Sequence, residues 1–299
     1  MIDYISVILP TYNPDPLKLA ASLECLRAQT LSKDQWELII VDNNSDQPVT
    51  SDLIWHTNAI VIREIKPGLT NARLAGFKKS KGSIIVMVDD DNLLFNDYLD
   101  NTMKIFNDNV KMGAIGGKSL PLFETVPPGW LREFYSCLAL RDFGDEILTA
   151  EWNNEYPIAA PIGAGMAIRK AALKPYLNKQ HIILDRIGND LSSGGDNDIV
   201  IEILKEGWQV GYYPALNLHH MISKKRTTKE YISKLLNNTN RSWVQLLKIH
   251  RISPWKTIPR WTVPLRKLKA WFTYGAWMNS TRSIKWNGAC GHFDGLADD

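Results

Sequence analysis

Two short apolar runs in this chain stop abruptly at acidic residues. Leu38-Ile39-Ile40-Val41 gives way to Asp42, and Ser83-Ile84-Ile85-Val86-Met87-Val88 to Asp89-Asp90-Asp91. Apolar runs of this length read as strands buried on both faces, which requires helices on either side of the sheet. Ile5-Ser6-Val7-Ile8-Leu9, stopped by Pro10, and Ile60-Val61-Ile62 are further strands. Leu19, Leu23 and Leu26 recur at helical spacing and predict a helix over 15–29. A second helix is expected over 70–80, and Leu99, Met103 and Phe106 mark the inner face of a third. The resulting order, β-α-β-β-α-β-α, predicts an α/β fold with a mostly parallel central sheet flanked by helices. Ligands of such sheets sit beyond the carboxyl ends of the strands, which is where both acidic clusters fall.

Residues 120–157 break this rhythm. They combine Pro121, Pro127, Pro128 and Gly129 with many aromatics, and read as a long excursion carrying a short helix near 129–140. It can serve acceptor contacts or act as a covering loop that packs its own aromatics. Regular structure is expected again from Ile158 to Arg169 and in a helix from Asp198 to Glu206. Val210–Tyr213 and Ala215–Leu218 have strand character.

Net charge hides an asymmetry. Residues 1–221 carry 20 basic and 28 acidic side chains, whereas 222–286 carry 15 basic and one acidic. The chain therefore divides into a catalytic-type domain over 1–221 and a helical, basic, Trp-rich extension over 222–299. Lysine, arginine and tryptophan in one block suit a peripheral contact with anionic lipid. A lid or homodimer contact fits equally well, and a nucleic-acid surface fits less well. Cys25, Cys137 and Cys290 form no metal-ligand spacing and no disulfide framework, which fits a reducing compartment. The first residues lack a signal-peptide pattern, and nowhere do 18 apolar residues run together. The expectation is a cytoplasmic protein, with peripheral attachment to the inner face of the membrane as an option.

The acidic triplet is the strongest chemical signal. Adjacent carboxylates repel unless a cation or hydrogen bonds compensate them, and Mg²⁺ or Mn²⁺ commonly bridges carboxylate to substrate phosphate. A solvated acidic turn, or a helix cap with Asn92, is the plain alternative. Asp196 lies in Ser192-Ser193-Gly194-Gly195-Asp196-Asn197-Asp198, just before a helix. It can accept a proton from an attacking hydroxyl, or it can cap the helix. His219-His220 follows a strand-like stretch, as a metal ligand would or as a structural histidine would. Lys224, Lys225 and Arg226 suit phosphate or a solvated loop, and Arg73 suits a diphosphate or an ion pair with the triplet. No G-x-G-x-x-G follows the first strand and no Walker A sequence is present, which argues against dinucleotide and P-loop chemistry.

Taken in order, these pieces resemble the family 2 glycosyltransferases with the GT-A fold. The matching stretches are Ser6–Asn13, Ile40–Ser45, Gly68–Arg73, Val88–Asp91, Gly163–Arg169, Gly194–Asp196 and His220 with Arg226. The resemblance covers about residues 4–235 and implies a GT-A-like, Rossmann-type sheet. It implies inverting transfer from a nucleotide-diphosphate sugar, usually of uridine, to an acceptor hydroxyl on a glycan or lipid-linked glycan. Thr11 and Asp42 would contact the nucleotide, with Pro10, Asn13 and Asp90 in the same cofactor-binding motifs. Asp89 and Asp91 would form the D-x-D pair that holds Mn²⁺ or Mg²⁺, with His220 as a further ligand. Arg73 and Arg226 would meet the diphosphate, and Asp196 would be the catalytic base. Gly195 stands where the family commonly has an acidic residue, so Asp198 stays a rival base. A nucleotidyltransferase, which would need a glycine-rich basic loop after the first strand, and a non-catalytic carbohydrate-binding protein are the alternatives.

Overall fold

The computed structural model describes residues 4–180, 185, 191 and 193–298. The opening residues 1–3 and Ser192 of the glycine motif lie outside the described residues. By its internal contacts the chain forms two compact units. The first comprises Met1–Leu122, Ala139–His181 and Asp196–Met221, and the second Phe123–Leu138, Ile182–Gly195 and Ile222–Asp299.

The first unit opens with β1 (Ile5–Thr11), α1 (Pro16–Arg27), β2 (Trp36–Asp42) and β3 (Ala59–Arg63). Every residue of β1 and β2 is buried, as strands covered on both faces require, whereas β3 is partly exposed at the sheet edge. Helix α1 starts where Asp15 accepts the Leu17 N–H, with proline at its first turn. Next come α2 (Leu69–Lys79), β4 (Ile84–Met87), β5 (Asn92–Leu94) and α3 (Tyr98–Asp108). Leu99, Met103 and Phe106 of α3 are all buried in the core, as their spacing predicts. Strands β6 (Met112–Phe123), β7 (Leu148–Ala150) and β8 (Ala167–Arg169), helices α4 (Lys174–Asn178) and α5 (Gly195–Lys205), and strand β9 (Gln209–Ile222) follow.

Among the described residues these strands form one sheet in the order β3-β2-β1-β4-β8-β6-β9-β5, with β7 on β9. The β3-β2-β1-β4 half is parallel, as the alternating pattern predicts. Beyond β4 the pairings of β8 with β4 and β6, and of β9 with β5 and β7, are antiparallel. The sheet is therefore mixed. Two details depart from the expected elements. Only Ala167–Arg169 of the 158–169 stretch is a strand; Pro157 and Pro161 lack the amide a ladder needs. Conversely, the two strand-like segments around Pro214 are one strand, β9. Its pairings with β7 and β5 fall on either side of the proline, at Val210–Tyr212 and Leu218–His220.

The second unit is helical. It contains a 3-10 segment over Gly129–Leu138, then α6 (Lys229–Ile249), α7 (Val263–Tyr274) and α8 (Ser280–Ala297). Helices α6 and α8 are joined by Asn237 and Asn240, whose side-chain amides donate to the Asn287 and Gly288 carbonyls. Lys267 of α7 pairs with Asp294 of α8 at 2.7 Å. Among the described residues no helix is long and apolar enough to cross a membrane.

Candidate active site

Sheet register assembles the site. Thr11 lies opposite Asp42, and Ile8 opposite Met87, so β1, β2 and β4 present their carboxyl ends in one row. Strand β8 runs the other way, which brings the preceding Gly163–Met166 segment to that row; the Met87 N–H donates to the Met166 carbonyl. Strand β5 sets Asn92 opposite His220.

At the end of β2, Asp42 is buried and accepts the Ser45 N–H (2.9 Å) and the Val49 N–H (3.3 Å). Burial pushes its carboxyl up, but the Ser45 and Val49 hydrogen bonds and the Arg63 charge outweigh it and hold the group below the usual range. Its neighbour Asn43 donates to the Glu64 and Lys66 carbonyls and accepts the Gly68 N–H (2.8 Å). Asn43 thereby fixes the loop that starts α2 and carries Arg73. Asn13, in a left-handed conformation at φ 44, exchanges hydrogen bonds with Asp46 and donates its N–H to Ser45. Pro10 is buried within β1.

The three carboxylates of the triplet take three different partners. Asp90 turns inward, where its carboxylate accepts the Thr11 hydroxyl and its carbonyl the Ser22 hydroxyl. Burial pushes the Asp90 carboxyl up to about 6, opposed by the Thr11 hydrogen bond and reinforced by Asp91 and Asp89. Asp89 faces the Arg73 guanidinium at 3.7 Å. Asp91 faces the His220 imidazole, with Oδ2 and Nε2 3.3 Å apart, and its Oδ1 accepts from Asn92. Asn92 is fully buried and also accepts the Asp89 N–H, so it holds the turn from within.

Asp91 and His220 fit a hard divalent cation. Neighbouring ligands on an octahedral ion bound at roughly 2.1 Å stand about 3 Å apart. A carboxylate oxygen and an imidazole nitrogen at 3.3 Å, with His220 buried, have that separation and that chemistry. Asp89, the other half of the D-x-D pair, is paired with Arg73.

Asp196 lies in the first turn of α5, partly exposed, where its Oδ2 accepts the Gly163 N–H at 2.8 Å. A Cβ on Gly163 would stand 3.1 Å from both Asp196 Oδ2 and an Arg73 nitrogen, so a side chain there would crowd both charged groups. Asp198, by contrast, is buried and paired with Lys179 at 2.6 Å, while Lys179 also holds Glu202. Gly195 donates its N–H to both carboxylate oxygens of Asp185. His219 points to the other side of β9, against Phe95. Arg226 belongs to the second unit, in the turn Lys224–Thr227, with its N–H on the Ser223 carbonyl.

Two side chains near Asp196 carry no motif. Tyr156 donates its hydroxyl to Asn197 Oδ1 at 2.6 Å, and burial, with the Asp196 charge beside it, pushes its phenol well above the ordinary range. Arg141 holds the Ala160 and Ile158 carbonyls within the field of Asp196. The only hint of either was the aromatic content of the 120–157 excursion. A cavity of about 550 Å³, lined in part by Trp152 and Trp208, lies at the opposite end of β9 from His220 and contains none of the site residues.

Comparison with known proteins identifies the family and the fold. Part of the chain is 29% identical over 125 residues to the minor teichoic acid biosynthesis protein GgaB of Bacillus subtilis (strain 168), covering 40% of this chain and 13% of that protein. It is also 29% identical over 125 residues to the hyaluronan synthase of Streptococcus pyogenes, covering 38% of this chain and 29% of the synthase. The match thus spans well under a third of either relative. The crystal structure of S. aureus TarS 1-349 in complex with UDP superposes with a TM-score of 0.53 at 15% identity, over 98% of this chain and 89% of that one. That likeness shows a shared fold, a mixed sheet flanked by helices. The family model described as glycosyl transferase family 2 matches residues 6–176, more than half of the sequence, and the chain belongs to that family.

Proposed function

We propose that this protein transfers a sugar from a nucleotide-diphosphate sugar, a UDP-sugar in the first instance, to an acceptor hydroxyl with inversion at the anomeric carbon. One observation carries the reading: a carboxylate–imidazole pair, Asp91 with His220 at 3.3 Å, and a separate carboxylate, Asp196, converge on the carboxyl ends of β1, β2 and β4. The UDP bound by the similarly folded TarS supports uridine as the base. The names of the matched relatives support polysaccharide or glycan synthesis as the setting.

Thr11 and Asp42, with Pro10, Asn13 and Asp90 shaping the pocket around them, receive the nucleotide. Arg73 binds the diphosphate. Asp91 and His220, together with Asp89, would hold Mg²⁺ or Mn²⁺, which when bound would supply positive charge to the departing diphosphate. Gly163 admits the donor sugar close to the backbone. Asp196 takes the proton of the acceptor hydroxyl as that oxygen attacks. Its partial exposure supports this role, and the Lys179 pairing of buried Asp198 speaks against the rival.

The test is nucleotide release from UDP-sugars with Mn²⁺, in wild type and in Asp196→Asn. The variant should lose roughly 10²–10⁴-fold in turnover while keeping its thermal midpoint. Wild-type rates in the folded variant would remove Asp196 as the base. Tight UDP binding without turnover across donors would turn the reading toward a binding protein.

A further inference from the structure

We propose that the outward face of α7 docks this protein onto an anionic lipid surface. Helix α7 has two unlike faces. Val263 and Ala270 are buried on the inner one, where Lys267 pairs with Asp294 and the Lys267 carbonyl accepts the Trp286 indole N–H. On the outer face Leu265, Leu268 and Phe272 follow the i, i+3, i+7 spacing of one stripe, and Trp261 precedes them by a further turn. These four side chains are between 56 and 74% exposed. Isolated exposed apolar residues are ordinary; four large ones in a continuous stripe mark a surface that binds something.

The stripe does not end with the helix. Gly275, at φ 59, takes the left-handed conformation that turns the chain back, and Trp277 returns onto Trp271 and Phe272. The ring centroids of Trp271 and Trp277 lie 4.6 Å apart. Aromatic packing thus sets the far end of the stripe in place before any partner arrives.

Charge selects the occupant. From Pro254 to Ser283 the chain carries six basic residues and no acidic one. Of these, Lys256, Arg260, Arg266, Lys269 and Arg282 are exposed, while Lys267 is directed to Asp294. Lys269 follows Leu265 by four residues and Leu268 by one, so it stands at the margin of the stripe. An apolar stripe of leucine, phenylalanine and tryptophan bordered by lysine and arginine is what a helix lying in a bilayer interface presents. A second copy meeting the same face would bring these positive charges against their own kind. A nucleic acid would satisfy the cations and leave Leu265 and Leu268 in water. An anionic membrane satisfies both sets of groups, the headgroups meeting the cations and the acyl boundary the stripe.

The experiment is co-sedimentation of the full chain with phosphatidylcholine vesicles, with and without phosphatidylserine, at physiological ionic strength. Wild type should sediment with the anionic vesicles, and less so as salt rises. Leu265→Glu combined with Phe272→Glu should weaken that binding at least about tenfold. Arg266→Gln with Lys269→Gln should weaken it roughly fivefold for each charge removed and flatten its salt dependence. Circular dichroism and the UDP-induced thermal shift should match wild type in both variants, since all four side chains are exposed on α7 and none is assigned to the nucleotide. No sedimentation of wild type, or equal sedimentation of wild type and both variants, overturns the proposal. So does a dimer in light scattering that Leu265→Glu with Phe272→Glu dissolves, because the stripe's occupant would then be a second copy.

Discussion

In the first unit each acidic side chain of the site is held by a different element. Asp42 is fixed by two amides, Asp90 by the Thr11 hydroxyl, Asp89 by Arg73 and Asp91 by His220. In the second unit the charge is mostly exposed on helix surfaces, and pairs such as Lys285–Glu133 stand about half open to solvent. The same kinds of residue therefore do unlike work. Where the backbone holds a carboxylate, its position decides the chemistry. Where a lysine stands on an open helix face, the sum of charges decides which surface it meets.

The sharpest way to break this contrast is Asp91→Ala, which removes one partner of the carboxylate–imidazole pair. Turnover with Mn²⁺ should fall about a thousandfold, as expected for losing several kcal/mol of charge stabilisation. Steady-state nucleotide release checks it, and an unchanged rate would show that the pair is structural. Next comes Asp42→Asn, which should cost about 1.5–3 kcal/mol at neutral pH through its charge-assisted hydrogen bonds. The native carboxyl lies below its unfolded value of 3.8, so its contribution is present above about pH 4. It is lost as pH falls through the native value, and urea unfolding should show the wild-type and variant curves converging in acid. Gly163→Ala should lower turnover roughly tenfold with little loss of stability, because its Cβ would push on Asp196 and Arg73 by a few tenths of an ångström. Paired kinetic and thermal measurements separate the two effects. Smallest is Lys285→Ala, which should shift stability by less than about 1 kcal/mol, since it opens an exposed pair. A larger loss on denaturant unfolding would mean that the second unit also depends on individual ion pairs.

Much of the parallel half was legible because its signals are local. The runs ending at Asp42 and at Asp89 announce both a strand and the point where it stops. Arg73 could be placed because it follows a loop and opens a helix. The antiparallel half was not legible in the same way. Strand direction there depends on how a long irregular connection returns, and no local period encodes that. Asn43 belongs to the matching stretch Ile40–Ser45, yet its three hydrogen bonds reach 21 to 25 residues along the chain. Arg141 and Tyr156 approach Asp196 only through tertiary placement, without any spacing to reveal them. Asp198 stood on paper as a rival to Asp196, since both sit near one helix start. Packing gave one of them a lysine and left the other partly open.

The division of labour within the acidic triplet has a consequence for ligand order. One carboxylate faces a guanidinium, a second is turned inward onto the Thr11 hydroxyl, and the third stands beside an imidazole. On the proposed reading, a dication held there would have one carboxylate and one imidazole as direct partners, which would leave coordination positions open to a pyrophosphate. Ion and nucleotide would then strengthen each other's hold, and by thermodynamic reciprocity each by the same factor.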